Sequence, residues 1–366
     1  MDDLDVWLAL LAIPAFDAVR LQQLQTLAAF PDLLSLPWSC LLDAGLTQLQ
    51  AEKLKNPPVA SIRTAKQWLS SDPEHQLIHW FHPAYPALLR EIKHPPIALF
   101  AAGDIGLLQT QQLAIVGSRR PTPAGKKIAF DWAAQLSALG ITITSGLAQG
   151  IDACAHQGAL SVQGATVAVL GHGLLHQYPK QNTELFQQIR RQGLLVSEYL
   201  PDQPPLAPLF PIRNRIVVGL AHGTLVVEAA EKSGSLISAG YAAEYSRELF
   251  AVPGSVMNPQ AAGCHQLIQQ GAKLTRHIAD ILEELDLDLS PQISLNLDEK
   301  NYSTKALSDQ GLLANVGYEV SAIDEIAQRA AQPIADVTVA LLQLELSGAI
   351  AAVPGGYIRV RGPNHV

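Results

Sequence analysis

The chain has 366 residues, with 25 basic and 33 acidic side chains and a formal net charge of −8. A hydrophobic share of 48% excludes compositional disorder, and the acidic balance argues against a general polyanion binder. The length suits two or three domains of roughly 100–200 residues.

Cys40, Cys154 and Cys264 form no CxxC or zinc-ligand spacing, so neither a structural metal nor a cofactor is expected. The acidic start Met-Asp-Asp-Leu-Asp is not that of a signal peptide, and no apolar run reaches the ~20 residues of a membrane span. A cytoplasmic location is the expectation.

Residues 1–70 read as short Leu-rich helices, such as Val6 to Ala12 and Val19 to Phe30, punctuated by Pro31, Pro37, Pro57 and Pro58. Residues 75–110 hold Tyr85-Pro86 and Pro95-Pro96 and read as an extended approach segment. From Gln112 to Leu285 strands and helices alternate. The strands are Gln112–Val116, Ile141–Thr144, Ala165–Leu170, Leu194–Ser197, Thr224–Val227 and Glu248–Val252. Helical periodicity falls between them, at Lys126–Leu139, Ile151–Leu160, Asn182–Arg191, Ile212–Gly219 and Leu236–Ser246. This is the pattern of a Rossmann-like, doubly wound parallel sheet over 75–285. Residues 286–305 are polar and read as a linker. Within 306–366, two helical segments (Ala322–Ala330 and Ile334–Leu346) and a Gly-tipped hairpin describe a winged helix.

Charge is unevenly spread. Residues 1–112 carry 7 basic and 11 acidic side chains, residues 113–283 carry 13 and 11, and residues 284–366 carry 5 and 11. The only segment that is not acidic is the one with the strand-end loops, so a polyanion would be attracted there.

Five loops are candidates for binding. Gly117-Ser118-Arg119 follows the first strand, where a glycine lets backbone approach a phosphate and an arginine matches its oxygens. The bland reading is a tight βα turn, and both fit this loop alone. Ser145-Gly146 opens a loop to Gly150, followed by Asp152 and His156 one helical turn apart. That pair suits either acid–base work or a loop-bracing Asp beside a packed His. Lys180 stands at a helix start, where Asn182 fits either an N-cap or a contact. Phe210 precedes Arg213, Asn214 and Arg215 at the opening of a helix, where the macrodipole disfavours cations. Ion pairing is one account of the two arginines, and phosphate or base contact with Phe210 stacking is the other. Ser233, Gly234 and Ser235 precede the last helix, after Glu228, a strand-end residue suited to holding Arg213 or Arg215. No nucleophile–base–acid set assembles, and no G-x-G-x-x-G or Walker lysine is present.

Together these segments resemble the DNA-processing protein A family, also called Smf. The resemblance lies in LAIVGSRRPTPAG (113–125), SGLAQGIDACAHQGAL (145–160), YPKQN (178–182), FPIRNRIVVGL (210–220), TLVVEAAEKSGSLISAGYAAE (224–244) and RELFAVPG (247–254). LLQLELSGAI (341–350) and GGYIRV (355–360) look like the winged helix of many members, and residues 1–70 resemble their helical SAM-like domain. The resemblance implies binding of single-stranded DNA in natural transformation, loading of RecA recombinase, and work as a homodimer, with no catalysis. It places Gly117, Ser118 and Arg119 on backbone phosphate, continues the pocket through Lys180, Arg213, Asn214 and Arg215, and sets the dimer and RecA face near Leu267-Ile268. His265 and Ser238 depart from the Asn and Thr that the resemblance leads one to expect. At 13–20 the sequence replaces a Gly-containing hairpin. Ile334–Leu346 carries Asp336 and Glu345 and no Lys or Arg, so the winged helix is expected to contact protein or to pack rather than read DNA. The alternative for the whole chain is a nucleotide-binding or nucleotide-hydrolysing enzyme with a Rossmann-like pocket.

Overall fold

A computed structural model describes residues 3–285, 310–313, 315–317 and 320–360. The expected linker at 286–305 lies outside these residues. The chain divides into two compact units after Leu289.

The first unit is built on a nine-stranded sheet. Its strands are β1 (His75–His79), β2 (Ala98–Gly103), β3 (Gln112–Val116), β4 (Thr142–Ser145), β5 (Thr166–Val169), β6 (Leu194–Ser197), β7 (Gly223–Val226), β8 (Glu248–Ala251) and β9 (Lys273–Leu274). The spatial order is β1-β2-β6-β5-β4-β3-β7-β8-β9. From β6 to β9 every pair is parallel, with Leu113 opposite both Ile143 and Gly223. Residues of β3, β4, β5, β6 and β7 are buried on both faces, which is why most of them read as aliphatic runs, with β4 as the β-branched exception Thr-Ile-Thr-Ser. Helix Pro123–Ala138 starts with Pro at its first position, and Thr122 caps it by accepting from the Gly125 amide at 3.1 Å.

The approach segment differs from its sequence reading. Its ends are β1 and β2, an antiparallel pair in the register His75↔Ala102 to His79↔Ala98. Only the connection between them obeys the prolines. The flanking runs HQLIH and ALFAAG contain no proline and are free to donate ladder hydrogen bonds. Strand β2 then pairs antiparallel with β6 and extends the sheet past its parallel part.

Helices Asp3–Leu11, Ala18–Gln25, Trp38–Asp43, Gln48–Lys55 and Val59–Ser70 precede the sheet. Their Val6, Leu10, Leu21, Leu41 and Leu54 belong to one continuous apolar cluster with Leu99, Val116, Val167 and Val226 of the sheet. Asp17 adds a polar clasp by accepting from Arg20 and from the His94 ring at 2.8 Å.

The second unit has its own small core. Val337 and Leu341 of helix Ile334–Leu346 pack with Ile326, Leu312, Val316 and Ile350. Helix Ile323–Ala330 and the hairpin of β10 (Ile350–Val353) and β11 (Gly356–Arg359) complete the winged-helix arrangement. No helix among the described residues is long and apolar enough to cross a membrane.

Candidate nucleic-acid interface

The chain runs outward from β3 through β4 and β5 to β6, then returns to place β7 on the other side of β3. The strand order therefore reverses between β3 and β7. In open parallel sheets this crevice, at the carboxyl ends of the strands, is where ligands bind. All five candidate loops leave the sheet at that edge.

The loops are fastened to one another. The Ser118 amide donates to the Glu228 carbonyl at 2.7 Å, and the Ser118 carbonyl accepts from Ile151 at 3.1 Å. Gly150 has φ +86°, and a Cβ there would lie 2.3 Å from the Ser118 oxygen, so the second loop passes the first only as glycine. The Glu228 carboxylate accepts from the Thr122 amide at 2.9 Å and from the Thr122 hydroxyl. It thus sits at the amino end of helix Pro123–Ala138, where a negative charge is favoured. Glu228 therefore holds Thr122 and not an arginine, contrary to the sequence reading.

Arg213 is the second fastener and is only 4% exposed. Its Nη1 donates to the Gly146 carbonyl at 2.7 Å and to the Val169 carbonyl, and its Nε donates to Asn214 Oδ1 at 3.2 Å. The ends of β4 and β5 are thereby held by one guanidinium. Asp152 braces the same loop from the other side, accepting from the amides of Gly146 and Ala148. Burial pushes Arg213 down to about 10, with Asp152 pulling it back and Arg119 adding a smaller decrease. The side chain remains a cation at neutral pH. Burial raises Asp152, against the pull of Arg213 and the two amides. His156 is fully buried with Nδ1 on Thr166 Oγ1 at 2.7 Å, and burial drives it down to about 3. Asp152 and His156 are committed to separate partners.

Other predicted residues also serve inside the fold. Ser145 Oγ donates to the Ile115 carbonyl, and Ser118 Oγ accepts from the Arg120 amide. Asn182 does not cap with its side chain but donates to the carbonyls of Leu147 and Ala148, joining the third loop to the second. Arg215 pairs with Glu198 at 2.5 Å, as the ion-pair account of the helix start requires. Ser233 and Ser235 bond each other at 2.7 Å around exposed Gly234.

The exposed side chains of these loops include five cations. Arg119, Arg120, Lys126, Lys180 and Lys232 are exposed, and none forms an ion pair with a described residue. Phe210 is partly exposed, and its ring lies 5.4 Å from that of Tyr178, which is 46% exposed. His172 sits behind both rings. The structure thus gathers Arg119, Lys180 and Phe210 on the open side of the loops and turns Arg213, Ser145 and Asn182 inward. Sequence reasoning missed Tyr178 as Phe210's companion and Glu198 as Arg215's partner. Tyr178 stands in YPKQN, a segment it had singled out, and Glu198 directly follows the strand Leu194–Ser197. Among the described residues no group of three or more His, Cys, Asp or Glu side chains is placed to hold a metal.

Comparison with known proteins gives a consistent result. The family model described as DNA recombination-mediator protein A matches residues 76–286, and that of the DprA winged helix domain matches 301–356. Protein Smf of Escherichia coli K12 is 42% identical over 375 residues, covering 100% of this chain and 98% of its own length. DNA processing protein DprA of Bacillus subtilis is 44% identical over 202 residues, 55% of this chain and 68% of that protein. Among solved structures, DNA processing protein A from Streptococcus pneumoniae aligns with a TM-score of 0.68 and 33% identity, over 78% of this chain and 99% of its own. That of Helicobacter pylori, described for its single-stranded DNA binding mode, aligns with a TM-score of 0.53 and 32% identity, over 57% and 94%.

Proposed function

The chain belongs to the DNA recombination-mediator protein A family, and from that premise we propose that the carboxyl edge of its sheet binds single-stranded DNA without chemistry. The observation that carries this reading is the set of unpaired, exposed cations on braced loops at the strand-order reversal, in a chain whose remaining segments are acidic. Arg119 and Lys180 grip successive phosphates, with the backbone of Gly117 and Ser118 and the 233–235 turn alongside. Phe210 and Tyr178 offer faces on which bases stack, a mode that tolerates any sequence. Arg213, Asn214, Arg215, Asn182, Ser145 and Gly146 hold the groove in shape. The description of the Helicobacter pylori relative supports the choice of single-stranded DNA as the ligand.

On this reading the protein acts in natural transformation as a homodimer that loads RecA onto the bound strand. The segment around Leu267-Ile268, on the helix Ala262–Gln269, lies near the dimer and RecA-contacting face, with Leu267 itself buried in the core and Ile268 partly exposed beside it. Asp152 braces the loop and His156 is buried with Nδ1 on Thr166, so the two do not form an acid–base pair, which favours binding over hydrolysis.

The test is binding of oligo-dT by the double variant Arg119→Ala/Lys180→Ala at several salt concentrations. Affinity is expected to fall, with a flatter dependence on salt, while the fold is kept. Unchanged affinity would remove the groove assignment. Turnover of nucleoside monophosphates or ATP by the wild type would instead favour a nucleotide enzyme. RecA filament formation on the same oligonucleotide, scored in parallel, tests the loading step.

A further inference from the structure

Strand β1 is an outer strand of the nine-stranded sheet and is paired on one side only. Within that pairing the Trp80 amide donates to the Ile97 carbonyl at 2.8 Å, and the Gly103 amide donates to the Glu74 carbonyl at 3.4 Å. In an antiparallel ladder both backbone groups of a residue point the same way, and alternate residues point in opposite directions. Even-numbered residues of β1 therefore bond β2, and Leu77 and His79 turn their backbones to the open edge. The Leu77 N–H and C=O and the His79 N–H have no hydrogen-bond partner among the described residues. The opposite edge of the sheet, β9, is only two residues long and starts with Lys273, both of which discourage strand addition. The run HQLIH of β1 is longer and holds no proline, lysine or arginine.

A cavity of about 410 Å³ opens beside this edge, lined by Leu77 and His79 with Trp7, Phe30, Phe81 and Asp3. Its rings are closely gathered. His79 stacks on Trp7 with centroids 4.8 Å apart, and Phe30 and Phe81 lie 4.5 Å and 5.8 Å from the same indole. Phe81 remains 51% exposed. Burial and the neighbouring His82 hold the His79 imidazole below its ordinary value, against the pull of Asp3, so this wall carries no positive charge at neutral pH. Asp3 is exposed and forms no ion pair with a described residue, whereas Asp5 pairs with Lys66 at 2.5 Å. Electron-rich ring faces beside an unpaired carboxylate select a cation.

We propose that the open edge of β1 takes an added strand from a partner protein, and that an arginine of that strand enters the aromatic cavity against Asp3. An extended peptide satisfies Leu77 and His79 through backbone hydrogen bonds, while every second side chain turns to the cavity. Arginine suits the cavity better than lysine, because a planar, weakly hydrated guanidinium stacks on rings while its N–H groups reach a carboxylate. The surrounding segment favours the same partner. Residues 1–112 carry 7 basic and 11 acidic side chains, which attract a basic peptide and repel a nucleic-acid strand. The site shares no residue with the strand-end loops and does not depend on the single-stranded DNA reading.

The test is fluorescence anisotropy of a labelled peptide, Thr-Val-Thr-Arg-Thr-Val-Thr, titrated with the full chain. Saturable binding is expected. Replacing the arginine by citrulline keeps the shape and removes the charge, and should weaken binding about fivefold or more. Methylated peptide amides separate strand addition from simple charge pairing. An N-methyl group on the arginine blocks an antiparallel added strand, and one on each flanking threonine blocks a parallel one. At least one of these two peptides should lose affinity about tenfold or more. Asp3→Asn should weaken the arginine peptide about fivefold and leave the citrulline peptide unchanged. Phe81→Ala should weaken the arginine peptide and leave oligo-dT affinity unchanged, and Arg119→Ala/Lys180→Ala should leave peptide affinity unchanged. Asp3 and Phe81 are exposed, and circular dichroism with a thermal transition confirms that each variant is folded. The proposal is overturned if binding does not saturate at millimolar peptide, if both methylated peptides bind as the parent does, or if Asp3→Asn does not weaken the arginine peptide selectively. Loss of oligo-dT affinity in Phe81→Ala would assign the cavity to nucleobases, and loss of peptide affinity in Arg119→Ala/Lys180→Ala would assign the peptide to the strand-end loops; either result also overturns it.

Discussion

The carboxyl edge of the sheet and the helix Ile334–Leu346 both occupy positions where their architectures usually meet a ligand. They carry opposite chemistry. The sheet edge exposes Arg119, Lys180 and Lys232 on loops fastened by buried polar groups, whereas the helix exposes Val339, Leu342 and Leu346 and no cation. Position in a fold offers a place for binding, and side chains decide what is bound. Within one chain, the side chains at such a position suit a nucleic acid in one unit and do not in the other.

The sharpest way to break this contrast is to remove the fastener. Arg213→Ala leaves the Asp152 carboxylate buried without its cation and the carbonyls of Gly146 and Val169 without their donor. A loss of about 3–5 kcal/mol is expected, read from the denaturant midpoint. Arg119→Ala/Lys180→Ala should do the reverse, with stability within about 0.5 kcal/mol of wild type but oligo-dT affinity down tenfold or more. The slope of log affinity against log salt should fall by about 1.4, the contribution of two phosphates on a single strand. Phe210→Ala should cost about 1–3 kcal/mol of binding with little change in that slope.

Acid should also separate the two regions. His156 is held neutral at about 3, well below its ordinary value, so the unfolded chain binds the extra proton first. Stability of the first unit should therefore fall as pH drops below about 6.5 and continue to fall towards 3, by up to about 1.4 kcal/mol per pH unit. His156→Gln should flatten that part of the stability–pH curve. The described residues of the second unit include no histidine and should lack this dependence. The smallest effect is expected from Asp336→Ala/Glu345→Ala, which should change single-stranded DNA affinity less than about twofold. A large gain would mean that the helix lies against the DNA after all, and the contrast would fall.

The parallel part of the fold was legible because strands buried on both faces favour aliphatic and β-branched residues, and those between Gln112 and Val252 are rich in both. The β1–β2 pair was hidden by Tyr85-Pro86 and Pro95-Pro96, which describe the connection and not the strands on either side. Leu209 and Phe210 were missed as helix because Pro208 and Pro211 bracket them, although proline is tolerated in a first turn. In the interface, the loops could be picked out by composition, but the direction of each side chain could not. Arg119 and Arg213 look equivalent as letters. One faces solvent and the other closes two carbonyls, and only the packing of β4 against β5 decides which. Glu228 likewise holds Thr122 while Arg215 pairs with Glu198, because the strand order, not the sequence order, sets their neighbours.

The fastening of the loops has a kinetic consequence. A groove whose walls are joined through Ser118, Asn182, Arg213 and Glu228 has little conformational freedom left to lose when a strand arrives. Most of the ordering on association then falls on the flexible nucleic acid, and the protein behaves as a rigid mould. Capture should be limited by encounter, quickened by the exposed cations at low salt, rather than by a slow rearrangement of the protein. The backbone of the five loops should therefore superpose between free and strand-bound forms, with changes confined to the rotamers of Arg119, Lys180 and Tyr178.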